Sequence, residues 1–153
     1  MSAPLEIVIL EDDAPRRAAM RAALADRLPQ YRPRFFTTAA EAARYLHDHL
    51  DRVLLIVLDH DLDPIPVHPR RSLDAGTGRD VADFLAAREP TCPVVIHTTN
   101  RPAAVGMEAE LTDAGWTVSI VIPYGDLEWI GAEWLRAVRD AVVHAAVPTA
   151  VAA

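Results

Sequence analysis

The chain has 153 residues, a net charge of −7 and one cysteine, Cys92. This length fits one domain with a buried core, the lone cysteine excludes an internal disulfide, and the negative charge argues against broad DNA binding, which requires many cations. No apolar run approaches the roughly 18 residues of a membrane span, and the N-terminus lacks the pattern of a signal peptide. We therefore expect a cytoplasmic protein that does not bind membranes.

Predicted strands and helices alternate along the chain. The strands, rich in branched or aromatic apolar residues, cover 5–10, 34–36, 54–58, 93–96 and 116–122. Helical periodicity covers about residues 14–28, 39–50, 79–88, 101–114 and 127–144. Asp13, Thr38 (or Thr37) and Asn100 stand where N-caps belong, and Gly115 follows the fourth helix as a C-terminal stop.

This alternation is typical of an α/β fold with a doubly wound parallel sheet of five strands. Right-handed crossovers leave few topologies, and we expect the flavodoxin-like strand order 2-1-3-4-5. One such domain covers residues 1–144, and the small apolar residues at 145–153 predict a disordered tail. In this order the first and third strands are neighbours, and ligands bind where their carboxyl ends meet.

The segment 63–76 interrupts the alternation. Pro64, Pro66 and Pro69 predict a loop without regular structure, and Arg70 with Arg71 gives it the densest positive charge of the chain. Loops of more than about 12 residues are uncommon in compact domains and are often functional.

Acidic residues follow two of the predicted strands. Glu11 and Asp12 come directly after the first strand, and Asp59 comes directly after the third. Carboxylates that face one another repel, and a divalent cation with a preference for oxygen ligands relieves the repulsion. We expect a site for Mg²⁺, or for Mn²⁺ or Ca²⁺, with Asp12 and Asp59 as direct ligands and Glu11 direct or through water. Asp13 needs no metal to explain it, because it is a helix cap.

Two histidines also leave strands at this edge of the sheet, His60 after the third and His97 after the fourth. Histidine exchanges protons near neutral pH, so the pair suits acid–base work on a ligand held between them. Other interpretations stay open, since His97 fits a core histidine and His60 could point away from the site. Asp61 either joins the site or binds only backbone amides of the 63–76 loop.

The chain resembles the receiver domains of response regulators over nearly its whole length. The resemblance is carried by 8–17, 36–42, 55–59, 78–81 and 93–98. It implies that Glu11 and Asp12 are the acidic pair, Asp59 the phosphorylated aspartate and Thr98 the switch hydroxyl. Receivers carry a lysine before the proline that follows the last strand, whereas this chain has Ile122 before Pro123.

An offshoot of that family is more similar still. Leu-Glu-Asp-Asp at 10–13, Leu-Asp-His-Asp-Leu at 58–62 and Ile-His-Thr-Thr-Asn at 96–100 are similar to the cyclic-phosphate processing receiver-like domains. That resemblance implies a metal-assisted phosphoesterase, or a phosphate-binding domain, whose partner is a 2′,3′-cyclic nucleotide or an RNA end. The catalytic residues would be Asp59, His60 and His97, and Asp61 would lie in the same site. The phosphate-binding residues would be Thr98, Asn100, Arg70 and Arg71. Arg101 is a further candidate for binding a phosphoryl oxygen.

Two alternatives to that function remain. A stand-alone receiver would take a phosphoryl group on Asp59 from a histidine kinase and signal by binding a partner protein. An inactive receiver-like scaffold would only bind protein. The intact set of Glu11, Asp12, Asp59 and Thr98 favours the receiver, whereas Ile122 in the lysine position favours the phosphoesterase.

Overall fold

The computed structural model describes residues 5–146 and shows a parallel five-stranded sheet between two layers of helices. The sheet strands are β1 (Glu6–Leu10), β2 (Arg32–Phe36), β3 (Val53–Leu58), β6 (Val94–His97) and β7 (Val118–Val121), and a separate pair comprises β4 (Ile65–His68) and β5 (Arg71–Leu73). The α-helices are α1 (Ala14–Arg27), α2 (Ala39–His49), α3 (Gly78–Ala86), α4 (Arg101–Asp113) and α5 (Leu135–Ala146). A 3₁₀ turn covers Leu50–Arg52, and a π-helical segment covers Ile130–Trp134.

The strand order is β2-β1-β3-β6-β7, and every neighbouring pair is parallel. Since β4 and β5 lie outside this sheet, the order along the chain is the predicted 2-1-3-4-5, and the predicted doubly wound fold is confirmed. The switch point lies between β1 and β3, from which the chain winds in opposite directions. Ligands of such sheets bind beyond the carboxyl ends of these strands.

The sheet is buried on both faces, which explains why its central strands read as continuous apolar runs. Every residue of β1, β3 and β6 is buried. One core lies between the sheet and α1, the π-helical segment and α5; the other lies between the sheet and α2, α3 and α4. The two cores hold the strands in a fixed register, so the polar residues at their carboxyl ends are held in place as well.

The predicted helix caps are confirmed. The side chain of Asp13 accepts a hydrogen bond from the backbone N–H of Arg16, that of Thr38 from Glu41, and that of Asn100 from Ala103. Gly115 follows α4 with a φ of 94°, a backbone conformation that glycine adopts without strain. These caps fix where α1, α2 and α4 begin relative to the sheet edge.

The prediction of an irregular loop at 63–76 was wrong for much of that segment, because β4 and β5 form an antiparallel ribbon there. Prolines interrupt a strand inside a sheet because they cannot donate to a ladder of hydrogen bonds. In a two-stranded ribbon both strands are edges, and proline is tolerated there. Pro66 pairs with Ser72, and the register shifts between Pro66 and the end of β4.

The predicted fifth helix is not one regular α-helix. Residues 125–129 form turns, the π-helical segment follows, and α5 continues to Ala146. Residues 147–153, most of the predicted tail, lie outside the described residues. No helix in the described part of the chain combines the length and apolar character needed to cross a membrane.

Candidate metal and phosphate site

Three strands of the sheet deliver buried polar side chains to the same edge. Glu11 follows β1, Asp59 follows β3, and His97 is the last residue of β6. All three are buried, with exposed fractions of 0%, 5% and 0%. Each offers one ligand atom, and these atoms all lie within 4.8 Å of one another. The fold therefore brings two carboxylates and an imidazole together at the switch point.

Glu11 and His97 form a buried pair in which Nε2 of His97 lies 3.0 Å from Oε1 of Glu11. Burial acts to raise the pKa of Glu11, but the hydrogen bond and charge of His97 outweigh it and lower the pKa. An ionised carboxylate only accepts hydrogen bonds, so Nε2 carries the proton. The other ring nitrogen, Nδ1, has no partner among the described residues. An imidazole that carries its proton on Nε2 alone has a free lone pair on Nδ1, and an imidazole binds a metal through such a lone pair.

Asp59 is less easily ionised than Glu11. Burial raises the pKa of Asp59 to about 7, with His97 opposing the shift and the charge of Glu11 adding to it. Its Oδ1 accepts a hydrogen bond of 2.7 Å from the backbone N–H of His60. A divalent cation at this point would relieve the repulsion between the two carboxylates.

Asp12, predicted as a direct metal ligand, is not in the group of close ligand atoms. Its Oδ2 instead accepts a hydrogen bond of 2.5 Å from the backbone N–H of Asp63, at the start of the insertion. Burial raises its pKa, the Asp63 amide opposes that shift, and the charge of Glu11 adds to it. Asp12 thus ties the insertion to the sheet edge, and its role as a ligand stays a prediction.

His60 and Asp61 form a second histidine–carboxylate pair, with Nδ1 of His60 3.0 Å from Oδ1 of Asp61. The side chain of His60 is 17% exposed and that of Asp61 is 66% exposed, so this pair, unlike Glu11–His97, reaches solvent. A carboxylate that accepts from Nδ1–H leaves Nε2 of the imidazole free to take a proton. An isolated bridge between Asp61 and Thr77 joins the two residues that flank the segment 62–76, which contains the predicted loop at 63–76.

The remaining predicted residues lie in two places, in the segment after β6 and on the β4–β5 ribbon. Thr98 is buried, and its hydroxyl oxygen accepts a hydrogen bond of 3.1 Å from the backbone N–H of Asn100. Asn100 caps α4 through its Oδ1, so the Nδ2 group of the same side chain is the donor that the predicted phosphate contact would use. Arg70 and Arg71 are exposed on the β4–β5 ribbon.

Sequence reasoning missed two residues of the site. Nη1 of Arg16 lies 3.6 Å from Oε1 of Glu11 and 3.9 Å from Oδ2 of Asp59. The ring of Trp129 lies 5.5 Å from that of His97, and the guanidinium of Arg16 lies over it at 5.3 Å. The only signal in the sequence was an arginine in the first turn after Glu11. Its neighbour Arg17 gives the same signal, yet it donates to the backbone carbonyls of Glu11 and Asp12.

The donor set fits a divalent cation. Carboxylate oxygens bind Mg²⁺, Ca²⁺ and Mn²⁺, and an imidazole nitrogen adds affinity for first-row transition metals. The observation that favours a bound ion is that two buried carboxylates and an imidazole nitrogen of His97 lie within 4.8 Å of one another. The set differs from the predicted all-oxygen site by this nitrogen.

A family model described as the cyclic-phosphate processing receiver domain matches residues 7–113. A comparison with curated protein sequences finds no significant match. Among solved structures, the chain is similar to the phosphorylated cyanobacterial phytochrome response regulator RcpA, with 18% identity, a TM-score of 0.69 and coverage of 97% of this chain and 100% of that one.

Two further solved structures show the same fold. A response regulator receiver domain from Rhodospirillum rubrum has 20% identity and a TM-score of 0.64, with 94% and 96% of the two chains covered. The Mn²⁺-bound form of response regulator Rcp1 has 16% identity and a TM-score of 0.62, with 96% and 100% covered. The fold shared with these proteins is that of the receivers.

Proposed function

Because this chain belongs to the family of cyclic-phosphate processing receiver domains, we propose that it opens 2′,3′-cyclic phosphates of nucleotides or RNA ends by metal-assisted hydrolysis. The observation that carries the proposal is the buried group of Glu11, Asp59 and His97 at the switch point. Opening a cyclic phosphodiester needs a base for water, an acid for the leaving oxygen and positive charge at the phosphoryl oxygens. The site edge offers groups for all three.

Glu11, Asp59 and His97 are the residues that would hold the cation, which we expect to be Mg²⁺ or Mn²⁺. When bound, such an ion neutralises the carboxylates and polarises a phosphoryl oxygen. The imidazole nitrogen favours Mn²⁺ over Ca²⁺. The receiver fold of Rcp1, which is similar to this chain, is known in an Mn²⁺-bound form, and this supports the assignment.

The proton transfers are assigned to His60. Asp61 accepts from its Nδ1, so Nε2 is free to take a proton from the attacking water. That water adds to phosphorus and one ester P–O bond breaks. The protonated imidazole of His60 then returns the proton to the leaving ribose oxygen, and the product is a phosphomonoester. His97, which is fully buried and paired with Glu11, acts by holding the site together rather than by meeting the substrate.

Contacts to the rest of the ligand are assigned to the segment from Thr98 to the start of α4 and to the β4–β5 ribbon. The hydroxyl of Thr98 accepts from Asn100 and keeps its own proton to donate to a phosphoryl oxygen. The backbone N–H groups at the start of α4 favour an anion. Arg70 and Arg71, exposed on the ribbon, would contact the backbone phosphates of a longer RNA.

The test is turnover of a 2′,3′-cyclic mononucleotide, and of a short RNA ending in a cyclic phosphate, with Mn²⁺ or Mg²⁺. We expect His60→Gln to lower kcat by about 10²- to 10⁴-fold without changing Mn²⁺ affinity, as is typical for loss of a general base. His97→Ala should abolish turnover and weaken Mn²⁺ binding. His47→Gln, at an exposed histidine on α2, is the matched control and should behave as wild type.

Full activity in His60→Gln would contradict the proton-transfer role. No turnover in wild type, together with labelling of Asp59 by acetyl phosphate, would identify a signalling receiver instead. That second function is favoured by the position of Asp59 directly after β3 and of Thr98 directly after β6. If neither turnover nor labelling is found, the chain is a binding scaffold.

A further inference from the structure

The permanent side-chain cations of this chain are all of one residue type. The sequence contains no lysine, and the 15 residues counted as lysine or arginine are all arginines. Any site in this protein that binds an anion through a permanent cation must therefore use a guanidinium.

Within residues 5–146, Arg16 is the arginine that forms ion pairs with Glu11 and Asp59. It is delivered by the first turn of α1, whose start is fixed by the Asp13 cap. The adjacent Arg17 is committed to two backbone carbonyls at distances of 2.6 and 3.2 Å. The capped start of α1 thus directs Arg16 toward the site carboxylates. It directs Arg17 toward the backbone carbonyls of Glu11 and Asp12.

Arg16 is not held by these carboxylates through hydrogen bonds. Its distances of 3.6 and 3.9 Å exceed the 2.7–3.2 Å range typical of an N–H···O bond. The charges attract one another, but the N–H donors of the guanidinium are not committed to Glu11 or Asp59. A phosphoryl group offers the planar pair of acceptors that an arginine fork matches best.

The position of the guanidinium is nevertheless defined. It lies over the ring of the fully buried Trp129, and the same ring packs against His97. The side chain of Arg16 is 29% exposed, so it is partly open to solvent while it lies over a buried ring. An arginine stacked on an aromatic ring loses less freedom when it binds a ligand, which increases affinity.

We propose that Arg16 is the anion-binding residue of this site and that it binds the non-bridging oxygens of a phosphate ester. The choice of a phosphate ester rests on the proposed function; the choice of Arg16 rests on its contacts alone. When a cation takes over Glu11 and Asp59, those carboxylates no longer attract the guanidinium as strongly, and the phosphoryl group becomes its partner.

This assignment has a signature that a merely structural ion pair lacks. Arg16 repels a metal ion that binds to Glu11 and Asp59, and it attracts the phosphate. Removing its charge should therefore change the two affinities in opposite directions. An arginine that only neutralised the carboxylates would alter metal binding and leave phosphate binding at saturating metal unchanged.

The experiment measures Mn²⁺ binding alone, then binding of adenosine 3′-monophosphate at saturating Mn²⁺, by titration calorimetry. Arg16→Gln should weaken nucleotide binding by about 10- to 100-fold, the usual effect of losing a charged hydrogen-bonding pair. It should also tighten Mn²⁺ binding by several-fold. Arg16→Lys keeps the charge and should restore much of the nucleotide affinity, which also covers the case that the glutamine variant folds poorly.

Arg21→Gln is the matched control. Arg21 lies on the same helix and stacks on an aromatic ring, Phe35, at 4.7 Å, but it forms no ion pair with the site carboxylates. Both affinities should stay at wild-type values in this variant. Arg16 and Arg21 thus carry the same charge, lie on the same helix and both stack on an aromatic ring. They differ in that Arg16 alone of the two forms ion pairs with Glu11 and Asp59.

Unchanged nucleotide affinity in Arg16→Gln, or no nucleotide binding by wild type, would overturn the inference. Turnover of a 2′,3′-cyclic mononucleotide, measured in parallel, separates this from the proposed function. If the wild type turns over and Arg16→Gln binds the nucleotide with unchanged affinity, the role of Arg16 is contradicted and the proposed reaction stands. If Arg16→Gln loses nucleotide binding and the wild type shows no turnover, the role of Arg16 is supported and the proposed reaction is contradicted.

Discussion

Asp59 has a carboxylate whose ionised form the fold disfavours. It is 5% exposed, and burial, with the charge of Glu11, raises its pKa to about 7 against the opposing effect of His97. A carboxyl whose pKa is higher in the folded state binds its proton more tightly there than in the unfolded chain. Its contribution to stability is therefore greatest at low pH and is lost as the pH rises from about 4 to 7.

We expect Asp59→Asn to stabilise the metal-free protein at pH 8 by about 2 kcal/mol or more, because it removes a charge that burial disfavours. The difference should shrink steadily as the pH falls toward 4, where the aspartate is protonated in both states. Urea denaturation in EDTA at several pH values measures this. Asp51→Asn, at an exposed acid near the opposite end of β3, should show no such trend. A destabilised Asp59→Asn at pH 8 would contradict the argument.

At the scale of single residues, sequence reasoning found the acids and missed the cation. Glu11 and Asp59 come together because each follows a buried strand, and strand ends can be predicted from apolar runs. The sequence could not separate Arg16 from Arg17, because one step along a helix turns a side chain by about 100° and only the capped start of α1 fixes its direction. The contact of Trp129 with Arg16 joins residues more than 100 positions apart, and no local pattern predicts it.

The elements are held against the site by close backbone contacts as well as by side chains. Helix α3 begins at Gly78, whose N–H donates to the carbonyl of His60 at 2.9 Å. A Cβ on Gly78 would lie 1.9 Å from the carbonyl oxygen of Asp59. Only glycine allows α3 to approach the strand end this closely.

Gly78→Ala should therefore destabilise the protein by about 3 kcal/mol or more, because the helix or the end of β3 must move. We also expect weaker Mn²⁺ binding, since the shift displaces the backbone of Asp59. Gly131→Ala is the control, because a Cβ there meets nothing within 4 Å. Chemical denaturation of both variants measures the difference, and equal stabilities would show that α3 can relax without cost.

Element boundaries were predicted less well than element types. The strand at 116–122 is shorter in the structure, at Val118–Val121, and α3 begins at Gly78 rather than Arg79. The ribbon of β4 and β5 was not predicted, because its prolines were taken to exclude a strand, as they do in the interior of a sheet. The edge position that makes proline tolerable is a property of the fold and not of the segment.

In the whole molecule, the site links the three central strands of the sheet. Its ligand atoms come from the ends of β1, β3 and β6, which carry residues of both hydrophobic cores. A cation bound there would connect these strands directly, so binding to the site should affect global stability. The order of these strands followed from alternating elements and right-handed crossovers, and this explains why the location of the site was predictable from the sequence.

We expect Mn²⁺ at about 100 times its Kd to raise the Tm by roughly 5–10 °C, because an ion that binds only the folded state stabilises it by about 2.7 kcal/mol at that concentration. Asp59→Asn should abolish the rise. Glu6→Gln should retain it, since Glu6 is a buried glutamate at the start of β1, where it pairs with Arg34 and Tyr45, whereas Glu11 follows the other end of that strand. An equal rise in Asp59→Asn would place the ion elsewhere.

The indole of Trp129 has a practical consequence, since it contacts both His97 and Arg16 while fully buried. Indole emission is sensitive to nearby charges and to imidazole. This ring is therefore a built-in optical reporter, which can register events at the switch point without an attached dye. The other two tryptophans, Trp116 and Trp134, would supply a background emission against which the signal from Trp129 is read.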